Sequence, residues 1–249
     1  MVAAGLAAGG INAVVGSGTL VSFPVLLAVG LPPVPATISN SLGLVPGNLS
    51  GSLGYRRELR GQRRLLLRLV PASVLGALTG AFLLLHLPAS AFEAVVPVLI
   101  GIAVLLVALQ PLAQRALPPP TRRDDERVRR GRLAALFAAA YATGTYGGYF
   151  AASQGVLQIG LFGFVLREPL QRLNALKNVL TLTVNTVAAA AYVVVATDRI
   201  DWAAAGLLAT GSLVGGAVGA RYGRRLPSGV LRTTIVVLGI TAIVVLVNR

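Results

Sequence analysis

Two short polar breaks interrupt long uncharged stretches of this chain, and they carry residue types that could hold a ligand. The first is Gly16-Ser17-Gly18, followed by Thr19; the second is Ser153-Gln154-Gly155. No charged residue occurs from Val2 to Tyr55 or from Leu133 to Leu166. Irregular backbone at membrane depth must be buried in protein or line a wet cavity, because lipid satisfies no hydrogen bonds. A helix that restarts after such a break points its first N–H groups, and the positive end of its dipole, at the membrane interior, where they attract anions. Thr19 can cap that end or bond the ligand directly. Two positive helix ends meeting in this way would suit a small anion. Glycines that merely allow close packing are the competing reading of both breaks.

Amides and one lysine stand beside the breaks. The segment 36–55 carries Asn40 and Ser41 among further hydroxyls and amides (Thr37, Ser39, Asn48, Ser50, Ser52). A later segment carries Asn174, Lys177 and Asn178. Amides inside membrane helices need partners and often line a substrate path; hydrogen bonding between helices is the alternative. Lys177, the only lysine of the chain, lies about two turns inside its span. It either compensates an anionic substrate or snorkels to the surface. Glu93 and His86 end their helices, as proton carriers or as solvated interfacial groups.

Little else here can do covalent chemistry. The chain has one histidine, no cysteine and 8 acidic residues, with no metal-ligand cluster and no cofactor motif. That leaves too little for general acid–base or metal catalysis, so neither an enzyme nor a metal or cofactor site is expected. The lack of cysteine excludes disulfides and thiol nucleophiles.

The elements that position these residues are membrane helices. The chain is 55% hydrophobic and 12% charged, with mean hydropathy +0.77, whereas about a quarter of residues are charged in a soluble protein. The apolar regions are too many and too long for a signal peptide. The pattern predicts a polytopic all-α membrane protein. Its segments are Val2–Val15, Thr19–Leu31, Ala36–Tyr55, Leu65–Leu87 and Ser90–Ala113, then Leu133–Ala152, Val156–Leu166, Pro169–Ala196, Trp202–Tyr222 and Ser228–Val247. A net charge of +14 invites a nucleic-acid partner. The basic residues instead sit in short loops between apolar spans, the pattern of cytoplasmic loops, and no nucleic acid is expected.

The two halves resemble each other. At an offset of about 138 residues Gly76, Gly80 and Pro88 fall on Gly215, Gly219 and Pro227; Asn40 falls on Asn178 one residue short, and Gly18 on Gly155 two short. The division predicted is a first transmembrane repeat at 1–113, a charged cytoplasmic linker at 114–132 (irregular or a short surface helix) and a second repeat at 133–249. Each repeat would contain a broken or re-entrant helix pair plus three transmembrane helices. The glycines at four-residue spacing, Gly76 and Gly80 with Gly211, Gly215, Gly219 and Gly223, predict close helix packing rather than a phosphate loop.

Charge separates two topologies. The segments flanking each break are shorter than the roughly 20 residues that cross a bilayer. Either each pair crosses once, or it forms a hairpin that enters and leaves on one side. With hairpins, each half adds three crossings and the halves have inverted topology. The loops 56–68, 115–132, 167–177 and 221–232 then all face the cytoplasm, with every basic residue except Arg199 and Arg249. Hairpins satisfy the positive-inside bias; single crossings do not. Both termini are then extracytoplasmic.

The run Gly9-Gly10, Gly16-Ser17-Gly18-Thr19, Phe23-Pro24, Pro35-Ala36-Thr37 and Asn40-Ser41 resembles the first half of the sulfite exporter TauE/SafE family. The stretch from Gly147-Gly148 to Asn174, Lys177 and Asn178 resembles its second half, so the likeness covers nearly the whole chain. It implies an integral membrane transporter of small anions, sulfite and organosulfonates especially, in a prokaryotic plasma membrane. Internal repeats with the site between them are the usual build of secondary transporters. The combined expectation is a secondary transporter for a small, sulfur-containing anion working by alternating access. A proton or sodium ion would couple it, and the site would draw on Gly16, Ser17, Gly18, Thr19, Asn40, Ser41, Ser153, Gln154, Gly155, Asn174, Lys177 and Asn178. A passive anion channel is the alternative, and an intramembrane enzyme a remote third.

Overall fold

The structure, a computed structural model, describes residues 1–88, 126–166 and 168–222, with isolated helical positions between 90 and 109 and at 233, 237 and 240. Among the described residues every element is helical. They are α1 (Val2–Val14), α2 (Thr19–Ala28), α3 (Pro33–Gly54), α4 (Arg63–His86), α5 (Glu126–Tyr149), α6 (Gln154–Leu166), α7 (Leu170–Val195), a short 3-10 turn (Thr197–Arg199) and α8 (Trp202–Tyr222). Most of the segments Ser90–Ala113 and Ser228–Val247, together with Glu93 and Gly223, lie outside the described residues. Three of the described helices, Arg63–His86, Leu170–Val195 and Trp202–Tyr222, are long and apolar enough to cross a membrane.

Local chemistry sets the helix ends. Pro33 opens α3, where its fixed φ suits the first turn and its missing N–H costs nothing. The Asp201 carboxylate accepts the Ala204 N–H at 2.8 Å and caps α8. Extended backbone at Leu87, the residue before Pro88, ends α4. Helix α5 begins at Glu126, within the stretch expected to be linker, so the last charged residues before Leu133 form its opening turns.

Small residues fix which helices meet. On α1, Gly5 lies against the backbone of Leu208, and Gly9 against that of Ser212. On α8, Gly211, Gly215 and Gly219 lie against Val2, Leu6 and Gly10. A Cβ at any of these glycines would sit on a main-chain atom of the partner. Without them the two backbones could not approach so closely, which is how small residues drive association in lipid. Gly76 and Gly80 of α4 meet Tyr141, Thr145 and Tyr149 of α5 in the same way, and Gly144 and Gly148 meet Ser73 and Ala77 in return. The four-residue spacing therefore builds packing seams, each joining an early helix of one half to a late helix of the other.

These registers give helix directions. Residues 5 and 9 of α1 meet 208 and 212 of α8; 43, 47 and 54 of α3 meet 208, 212 and 220. Both α1 and α3 thus run parallel to α8. Ala13, near the end of α1, lies against Gly51, near the end of α3, while α2 leads straight into the start of α3. So α2 runs back along α1, and the chain reverses at residues 15–18. The second half repeats this. Helix α5 runs parallel to α4, and α6 returns along α7, with Gln158 bonded to Thr181 and Gly163 against Leu173. The chain therefore reverses direction at both breaks.

Helices α3 and α7 run in opposite directions, since Gly51 meets Asn178 and Tyr55 clusters with Ala175, while Ile38 shares a cluster with Ala188 and Tyr192. The described arginines at 56–68, Arg132, Arg172 and Arg221 gather at the end where α3 and α8 finish and α4, α5 and α7 start. Leu67, Leu75 and Phe82 of α4 and Val194 of α7 are exposed, whereas Asn40, Gln158, Lys177 and Ser212 are fully buried. An apolar exterior around a polar interior is the arrangement lipid requires.

The seams predict a graded response to added methyl groups. Gly80→Ala and Gly215→Ala place a Cβ on main-chain oxygens and should each destabilise by about 1–3 kcal/mol. Gly160→Ala and Gly206→Ala, with open space around the added carbon, should leave stability unchanged or raised. Thermal melting of the purified variants in detergent, followed by size-exclusion chromatography, checks the contrast.

Candidate functional site: the meeting of two hairpin tips

Helix α1 stops because residue 16 takes a left-handed conformation. Gly16 has φ +88°, and the N–H groups of Val15 and Gly16 both donate to the Ile11 carbonyl, at 2.8 and 3.1 Å. This is a glycine-terminated helix end. Helix α5 stops in the same way without glycine: Phe150 and Ala151 both donate to the Tyr146 carbonyl, at 2.9 and 3.3 Å, and Ala151 has φ 63°. Gly18 and Ser153 then open the next helices, each carbonyl accepting from the residues three and four further on.

The hydrogen bonds therefore match Gly16 with Ala151, Gly18 with Ser153, and Thr19 with Gln154. This corrects the alignment of Gly18 with Gly155 suggested by the sequence. The second break also lies earlier than Ser153-Gln154-Gly155: it spans residues 150–153, and Gln154 and Gly155 form the first turn of α6. The sequence concealed this because Ala151 and Ser153 adopt left-handed angles usually left to glycine; Ser153 has φ 58°.

The two tips touch. The Gly155 N–H donates to the Gly16 carbonyl oxygen at 3.1 Å, and the α-carbons of Gly16 and Gly155 are packed so closely that neither residue has room for a side chain. The start of α6 thus abuts the end of α1, and a positive dipole end meets a negative one. The expectation was of two positive ends facing one another with free N–H groups. Instead Gly155 bonds Gly16, and the Gly18 N–H reaches the Asn12 Oδ1 at 3.4 Å.

Lys177 does not snorkel. It is fully buried, its stem passes Gly155, and its Nζ donates to the carbonyls of Asn12 at 2.8 Å and Ala13 at 3.4 Å. Asn178 Nδ2 and Asn174 Nδ2 donate to the same Ala13 carbonyl, at 3.0 and 3.4 Å. These carbonyls belong to the last turn of α1, where no backbone N–H follows to satisfy them. Helix α7 supplies that missing turn from its side chains. It serves α5 as well, through the Tyr192 hydroxyl on the Gly148 carbonyl, and the Tyr146 hydroxyl holds the Ala152 carbonyl.

Asn40 does a different job from Asn178. Its amide bonds Thr19 Oγ1 at 3.2 Å and accepts from Ser22 Oγ, tying α3 to the start of α2. Ser41 donates to the Thr37 carbonyl of its own helix at 3.0 Å. Ser17 and Ser153 are fully buried with no partner for either hydroxyl, and neither end of the Gln154 amide has a partner. The Gln154 side chain lies over Gly147. Sequence reasoning missed Asn12, whose amide bonds Asn48 and Gly18, along with Ser22, Gln158, Tyr146 and Tyr192. A lone asparagine in the uncharged first segment was the available signal for Asn12. His86 is exposed at the end of α4 opposite the arginine cluster, where it stacks on Phe82.

The family model for the sulfite exporter TauE/SafE matches residues 1–246. The chain belongs to the TauE/SafE family. Its relatives include a "Probable membrane transporter protein" of Haemophilus influenzae, 26% identical over 94% of this chain and 88% of the relative. Another, from a Sinorhizobium species and also named a probable membrane transporter protein, is 24% identical over 94% of this chain and 85% of the relative. The Escherichia coli K12 "Probable membrane transporter protein YfcA" is 26% identical over 88% of this chain and 76% of its own length. No solved structure matches the chain. This TauE/SafE member is a membrane transporter, and the family names a transport protein rather than an enzyme.

The left-handed tip residues predict opposite effects of one exchange. Ala151→Gly removes a penalty of about 1–2 kcal/mol for left-handed backbone and should raise the melting midpoint. Gly16→Ala adds that penalty and drives a methyl group into Gly155, so it should lower the midpoint by more than Ala151→Gly raises it.

Proposed function

We propose that this TauE/SafE protein is a secondary transporter that moves a small sulfur-containing anion, sulfite or an organosulfonate, across the plasma membrane. Two repeats, residues 1–113 and 133–249, would move against each other around the paired hairpin tips. The observation that carries this reading is the Gly16–Gly155 contact, flanked by the buried and unpartnered polar groups of Ser17, Ser153 and Gln154. Buried polar atoms without partners are costly, and an oxyanion with several acceptor oxygens would satisfy them. The sulfur oxyanion class is supported by the family name. The inverted relation of the repeats is supported by the opposed directions of α3 and α7.

In this mechanism the substrate accepts hydrogen bonds from Ser17, Ser153 and the Gln154 amide, with Thr19 close by on α2. Lys177, Asn174 and Asn178 hold the end of α1, so they shape the site through that helix. Asn40 and Ser41 do so through α2 and α3. The anion must part the tips to pass, and the Gly155–Gly16 hydrogen bond would close them behind it. A passive pore would carry anions without saturating, which separates the channel alternative from the carrier.

Uptake into proteoliposomes across a panel of sulfite, sulfate, sulfonates and carboxylates tests the reading. Saturable flux of a sulfur oxyanion is the expected result; flux of cations or neutral solutes alone would sink it. Ser17→Ala, Ser153→Ala and Gln154→Ala should each raise the half-saturating concentration about three- to tenfold, the value of one neutral hydrogen bond. The melting points of Ser17→Ala and Ser153→Ala without substrate should be unchanged or higher, since each removes an unsatisfied buried hydroxyl at nearly constant shape.

The arginine-bearing end is proposed to be cytoplasmic. On this cysteine-free chain, a thiol at Arg60→Cys should react with a membrane-impermeant reagent only from the cytoplasm, and one at Asp198→Cys only from outside. The reverse pattern would invert the topology.

A further inference from the structure

The end of α1 offers oxygen atoms to a cation, and a side chain already fills that place. The carbonyls of Asn12 and Ala13 have lost their helical N–H partners, and both accept from Lys177 Nζ. Asn174 bonds Ala13 through its Nδ2, and its buried Oδ1 has no partner. The Lys177 Nζ meets no carboxylate among the described residues; its partners are these two backbone oxygens alone. Backbone carbonyls at the end of a half-helix are hard neutral donors of the kind that hold a sodium ion in transporters built from broken helices. An ammonium is a compact point charge with three donors, and it can sit on the same oxygens.

We propose that the Lys177 ammonium acts as a tethered cation on the carbonyls of Asn12 and Ala13, in the place of a sodium ion, so that the chain works without sodium. Resting on the transport reading above, this names the coupling requirement of the site. The positive charge that offsets the anion at the hairpin tips is carried by the protein and is never released. Removing the lysine leaves the carbonyl oxygens in place with no cation, and a free sodium ion can then take its position.

The test is thermal melting of the purified full chain in detergent, in sodium chloride against choline chloride of equal ionic strength. The wild-type midpoint should be the same in both salts. Lys177→Met, which keeps the apolar stem and removes the charge, should melt lower in choline and rise with sodium in a saturable way, by at least about 2 °C. Lys177→Arg keeps a cation and should show no sodium response. A saturable sodium response of the wild type, or a flat response of Lys177→Met, overturns the proposal. If Lys177→Met fails to accumulate from cells grown in low-sodium medium, sodium-rich medium must restore the folded protein, and failure in both overturns the proposal as well. Melting involves no transported substrate. A chain that moves no anion yet shows the sodium response loses the transport reading and keeps the cation site.

Discussion

Lipid supplies no hydrogen-bond partner, and the architecture follows from how this chain meets that constraint at two broken helices. Each break leaves carbonyls at the end of one half-helix and N–H groups at the start of the next. The first break is closed by side chains of α7, through Lys177, Asn174 and Asn178. The second is closed by tyrosines, through Tyr146 and Tyr192. The breaks also satisfy each other, the Gly155 N–H bonding the Gly16 oxygen. What stays unsatisfied there is a set of neutral polar groups on Ser17, Ser153 and Gln154, and that unmet hydrogen bonding is the physical basis of the ligand site proposed at the tips.

Holding the tips together requires close backbones elsewhere. Glycine seams bring α1 onto α8 and α4 onto α5, so each hairpin is clasped by the fourth helix of the opposite half. Any relative movement of the two halves must be felt at these seams and at the tip contact alike. Ser212 adds a polar tie, donating at 2.6 Å to the Gly43 carbonyl, near the point where Pro46 interrupts the ladder of α3.

The charge arrangement separates two roles that a sequence reading assigns to one residue. Lys177 looks like the counter-ion of an anionic substrate because it is the lone lysine in an apolar span. Its ammonium instead faces the negative end of a half-helix, so its charge reaches the tips indirectly, by holding α1 in place and offsetting its dipole. In the proposed mechanism direct contact with an oxyanion would fall to hydroxyl and amide groups, which can bind and release a charged substrate without forming a buried ion pair that would be costly to break.

The sequence by itself determined that this is a helical membrane protein. Its long, continuous apolar runs satisfy their backbone in lipid as helices, since barrel strands would be short and alternate apolar with polar residues. It also determined where most helices lie, because proline, glycine and arginine mark their ends, and it singled out the two breaks, because glycine and serine interrupt apolar runs. Tertiary structure decided which groups meet. It placed the second break at Ala151 and Ser153, whose left-handed angles no composition reveals, since packing and hydrogen bonding imposed them. It paired Asn40 with α2 and Asn178 with α1, although the two match when the sequence is laid over itself. It turned Lys177 toward carbonyls more than 160 residues away in sequence. Propensity and periodicity act over a few residues, whereas the partner of a buried polar group is chosen by whichever backbone end the packed helices bring within hydrogen-bonding distance.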